Sequence, residues 1–268
     1  MLRDVAFGPD PGRYPLPTGE NCVQRWHRAV ALGGQGHYAR ARAELDVLQR
    51  PGSRPAVAAL AASTRASLLR QLGFHAAAAG HDGAALALVG TSHGRTGDPL
   101  LDEARCDALT GLAADALGCG RLALGHRLLQ RVRDELAAGS AAGGAGALWR
   151  QNIRLHWVSA EIALAGGDFA AATTHTREAV ARSADAPSVR HRIKSALLSA
   201  AAATGQADPE VALATARQVF DDCGECGLLP LRWAAAMLLD GVRPDPAIRA
   251  ARDECVAEIA RRGGAFAA

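Results

Sequence analysis

At 268 residues the chain can bury one large core or a continuous repeat array. Apolar residues make up 49% and charged residues 21%, the balance of a water-soluble fold, and the net charge of +3 is mild. Acids are spread between the basic residues, which argues against a nucleic-acid reader, and no run of about 20 apolar residues lacks a charge or a glycine turn, which excludes a membrane-spanning helix.

The apolar share is mostly alanine and leucine, with aromatics at 4%, so local preference favours helix over strand. Lys194 is the one lysine among 30 basic residues, a bias that reads as a GC-rich coding genome. Residues 1–19 carry Asp4, several prolines and no long apolar run; they read as an extended N-terminal arm and not as a secretory signal. The expected location is the cytoplasm, with Cys22, Cys106, Cys119, Cys223, Cys226 and Cys255 as reduced thiols.

From residue 20 to 242 one phrase returns. Residues 36–48 give Gly36, Tyr38, Ala41, Leu45 and Leu48; residues 73–85 give Gly73, His75, Ala78, Asp82 and Ala85. Residues 120–132 give Gly120, Leu122, Gly125, Leu129 and Val132, and residues 167–179 give Gly167, Phe169, Ala172, Thr176 and Ala179. A looser version starts at Gly205 and brings Ala212 into place with about two extra residues. Glycine ends a helix because it reaches φ > 0 without steric cost. The large residue two positions on plugs the turn, and the small residue after it lets two helices approach closely. Ala29, Ala66, Ala113 and Ala160 stand seven residues before their glycines, two turns back on the first helix. The glycines are 37, 47, 47 and 38 residues apart, one helical hairpin each, with the longer intervals taken up by the Gly/Ala-rich stretches 89–99 and 137–147. Residues 228–242 make one more helix, and residues 243–268 make a capping helix and tail whose Ile248, Ala251, Cys255 and Ile259 share one face.

This pattern resembles the tetratricopeptide repeat and its wider family of helical hairpins, over roughly residues 20 to 220. The resemblance implies an all-α, right-handed array whose first helices line a concave groove for a protein or peptide. It places groove residues about thirteen, ten, six and three positions before each turn glycine. Those positions hold Arg70 in the second repeat, Asp107 in the third, Arg154, Trp157 and Glu161 in the fourth, and Arg192 and Ser195 in the fifth. Arginine holds carboxylates with a two-pronged fork and tryptophan anchors interfaces, so Arg154, Trp157 and Arg192 suit a peptide with an acidic group beside an apolar side chain. The competing reading is intramolecular: Arg154 pairs with Asp107 or Glu161, and Trp157 fills the core.

Other motifs carry less. GTSHG at 90–94 matches a nucleophile elbow with Ser92 as the nucleophile, but that chemistry needs a strand entering the turn. GQGHYA and GCGRLA match loose dinucleotide fingerprints, yet both follow helices. CGEC at 223–226 is a lone pair of cysteines without a second ligand pair for zinc. The expectation is therefore a non-enzymatic binding scaffold or regulatory adaptor with no cofactor and no metal. The alternatives are a small-molecule or peptide sensor, a hydrolase at Ser92, or a thiol or metal site at Cys223 and Cys226.

Overall fold

The structure, a computed structural model, describes residues 1–90, 97–141 and 148–267, with 139–141 as backbone only. Ser92 of the elbow motif lies outside the described residues, as do parts of both Gly/Ala-rich stretches. Among the described residues all regular structure is helical. A short helix, α1 (Leu2–Phe7), precedes six antiparallel-type pairs. These are α2 (Cys22–Gly34) with α3 (Tyr38–Leu48), α4 (Pro55–Gln71) with α5 (His75–Val89), and α6 (Pro99–Gly118) with α7 (Leu122–Ala141). They continue as α8 (Trp149–Ala165) with α9 (Phe169–Ala184), α10 (Val189–Ala203) with α11 (Glu210–Glu225), and α12 (Leu229–Val242) with α13 (Pro246–Arg261). No described helix is long and apolar enough to cross a membrane.

The local chemistry of the ends is plain. Asn21, Asp98, Asp168 and Asp245 each accept a backbone N–H of the first turn at 2.8–3.0 Å, and proline opens α4, α6, α12 and α13, where its missing N–H leaves no bond unmade. The turn glycines Gly36, Gly73, Gly120 and Gly167 have φ of 81°, 89°, 72° and 76°, a region closed to most side chains. Ala29, Ala66, Ala113 and Ala160 are fully buried, as small residues on the packed side of a first helix should be. The large residue after each glycine differs from expectation in its target. Tyr38 bonds Gln71 of the next pair at 3.0 Å, while His75 and Phe169 lie over Gly118 and Gly205, where a Cβ would fall 2.1 and 2.3 Å from their rings. These side chains lock the first, second and fourth hairpins to the one that follows, and Phe169 stays 39% exposed.

The even-numbered helices α2 to α12 pack in chain order, and α12 returns to α2. The last hairpin is therefore tied to the first. Ala39 N–H donates to Arg262 O at 3.0 Å, Arg42 Nη2 to Gly263 O at 2.8 Å, and Ala267 N–H to Leu72 O at 2.7 Å. Helix α13 has the apolar face read from sequence, with Ile248, Cys255 and Ile259 buried; it pairs with α12, and the residues at and beyond its end are held by the first two hairpins. The extended N-terminal arm is also corrected. Leu2, Val5, Ala6 and Phe7 of α1 are buried, because this short amphipathic turn gains more from docking against α2 and α10 than from solvent.

Candidate functional site on the inner helices

Helix α8 presents Arg150, Arg154, Trp157 and Glu161 at spacings of four, three and four, one continuous stripe on a 3.6-residue helix. Asp107 of α6 faces its first half. That carboxylate accepts from Arg154 Nη1 at 2.5 Å, Gln151 Nε2 at 3.3 Å and Arg150 Nη2 at 3.4 Å. Arg150 also bonds Glu103 at 2.9 Å, and burial raises the Glu103 pKa against the pull of that arginine. The Arg150 guanidinium lies 4.2 Å from the Phe7 ring centre and 5.5 Å from that of Trp26, a cation set beside two touching aromatic rings. Helix α1 thus covers the N-terminal end of the stripe.

The second half faces α10. Trp157 Nε1 donates to Ser195 Oγ at 2.8 Å, and its ring stacks on His191 at 5.0 Å. Lys194 Nζ stands 4.9 Å from the same ring and 3.4 Å from Glu161. His191 is buried, and desolvation together with Arg190, Arg150 and Arg154 holds its pKa well below the ordinary range, so it is a neutral packing group.

The structure brings together five of the seven expected groove residues: Asp107, Arg154, Trp157, Glu161 and Ser195. Trp157 is a correction, because at 7% exposure it is an intramolecular anchor and not a partly exposed one. The reason is the Ser195 hydroxyl and the His191 ring, which satisfy both its polar and its apolar needs. Arg192 is a second correction: its Nη1 donates to Ala186 O at 2.7 Å and clips the turn between α9 and α10. Arg70 is a third. It bonds both carboxylate oxygens of Asp115, at 2.8 and 3.1 Å, and pairs with buried Asp82, so it pins α4 to α5 and α6. Burial pushes Asp82 up to about 7 despite Arg70, with Asp115 adding to the rise. Gly111 leaves the room for it, since a Cβ there would fall 2.0 Å from Asp82 Oδ2.

Sequence reasoning missed Arg150, Arg190, His191 and Lys194, the last three of which lie in the basic run RHRIK at 190–194. Arg190 lies against α2, with Nη1 donating to Val30 O at 3.3 Å.

The remaining chemical motifs stand apart from this site. Cys223 is buried and Cys226 half-buried at the end of α11, and burial pushes the Cys223 thiol up to about 12, the opposite of an activated nucleophile. His156 and His175, on α8 and α9, approach with their Nδ1 atoms 3.3 Å apart. Among the described residues no group of three or more His, Cys, Asp or Glu side chains is placed to hold a metal ion. No family model matches the chain, and no curated protein matches it.

Proposed function

We propose that this chain is a non-enzymatic, cytoplasmic adaptor built on a right-handed, tetratricopeptide-like array, and that it binds an acidic protein or peptide segment along the inner helices α8 and α10. One observation carries the reading. Beyond the part covered by α1, the stripe ends in side chains that reach solvent: Arg154 at 22%, Glu161 at 28% and Lys194 at 33% exposure. Trp157 and His191 lie beneath them as a rigid floor, which holds the charged groups in place before a partner arrives. The partner contacts are therefore Arg154 and Lys194, with Glu161 setting register, while Trp157 and Ser195 are scaffold.

Affinity capture from the native lysate tests this, with wild type run beside an Arg154→Glu, Lys194→Glu double variant. A protein retained by wild type and released by the double variant supports the proposal. Retention by both places the interface elsewhere.

A further inference from the structure

The arginines at the junction of α8, α10 and α2 do not balance. Arg150 and Arg154 are matched by Glu103 and Asp107; Asp107 accepts from three donors, and Glu103 accepts from Arg150. Arg190 is a third guanidinium beside them: it reaches Val30 O on α2, one turn beyond the Trp26 ring over which Arg150 lies. Its contact with Val30 O uses Nη1 alone, and its Nε and Nη2 have no partner among the described residues. It lies flat against the glycine pair that ends α2, because a Cβ on Gly34 would fall 2.7 Å from Nη1. Arg154 likewise engages Asp107 through Nη1 only. Desolvation and the like charges of Arg154 and Arg150 bring the Arg190 pKa down to about 10. The first turn of α10, where Arg190 stands, carries no acid, so the helix end adds to the positive field.

We propose that Arg190 and Arg154 form an oxyanion site that takes a phosphate or carboxylate group through their unused N–H forks. This rests on the binding role given to the inner helices and names its chemistry. A guanidinium fork matches the oxygen spacing of either group. Arg190 is half-buried, so the anion is reached from solvent yet bound where water screens it weakly.

The test is thermal unfolding of the full chain titrated with inorganic phosphate, and separately with glutarate, against chloride at equal ionic strength. A saturable rise with either anion, absent with chloride, supports the site; the stronger response identifies phosphate or carboxylate as the group recognised. Arg190→Gln should abolish the rise and melt no lower than wild type in anion-free buffer, because it removes an uncompensated charge. Arg190→Lys should weaken binding by roughly tenfold, since the charge remains and the fork does not. A response equal to that of chloride, or one retained in Arg190→Gln, overturns the site. If that happens while partner capture still depends on Arg154 and Lys194, the adaptor role stands without it.

Discussion

Trp157 and Ser195 are joined across α8 and α10 by a 2.8 Å hydrogen bond that buries both polar groups. Such a pair is structural: neither member has spare capacity for a partner. Trp157→Ala should cost about 3–5 kcal/mol through lost packing. Ser195→Ala should cost about 1–3 kcal/mol, because it leaves the indole N–H buried without an acceptor. Urea unfolding of both variants reads this directly. Unchanged midpoints would mean that the pair is not formed.

The acid between α6 and α8 should be more sensitive than the bases around it. Asp107→Asn strips the shared counter-charge from Arg150 and Arg154 and should cost about 3–5 kcal/mol. Arg154→Met should cost less, because Arg150 and Gln151 still satisfy Asp107. Equal losses in the two variants would show that no such shared acceptor exists.

Acid should unfold the protein through its histidines. Burial brings His27 and His156 down to about 4 from 6.5, and holds His191 well below its ordinary range. Each is neutral when folded and takes up a proton when unfolded, so its contribution is complete above pH 6.5 and is lost as pH falls toward 4. Asp82 runs the other way: raised from 3.8 to about 7, it favours the fold at low pH and loses that as pH rises between those values. Three histidines against two raised carboxyls, Asp82 and Glu103, predict a melting temperature that falls between pH 6.5 and 4.5, with a shallower fall in His156→Gln. A rise on acidification would show that the carboxyls dominate.

The thiols should separate by burial. Exposed Cys119 should react first with a thiol reagent at neutral pH, and buried Cys106 and Cys223 last, since burial pushes both thiols well up. Cys226→Ser should fold normally, and the purified protein should hold no stoichiometric zinc. One zinc per chain would make the end of α11 a metal site.

The parts of the fold legible in the sequence are those governed by contacts within one hairpin. Gly36, Gly73, Gly120 and Gly167 announce turns because the backbone there needs positive φ, and Ala160 announces a helix seam because only a small residue fits. Ring closure is different. Arg42 and Gly263 are 221 residues apart, and nothing local in either marks the bond between them. The docking of α1 was hidden for the same reason, as Phe7 meets Trp26, His191 and Arg150 from three other helices. In the candidate site Arg154, Trp157 and Glu161 of α8 were marked by the repeat resemblance, while Arg150, one turn earlier, was not. Whether Trp157 lay in or out was not legible, because a floor and an anchor carry the same residue at the same spacing.

Calorimetric titration of the captured partner into wild type, Arg154→Glu and Lys194→Glu, at two salt concentrations, tests the central functional claim most directly. Binding along α8 and α10 predicts at least roughly tenfold weaker affinity in each variant, and a wild-type affinity that falls as salt screens the exposed charges. Equal affinities across the three proteins, with no dependence on salt, would contradict it.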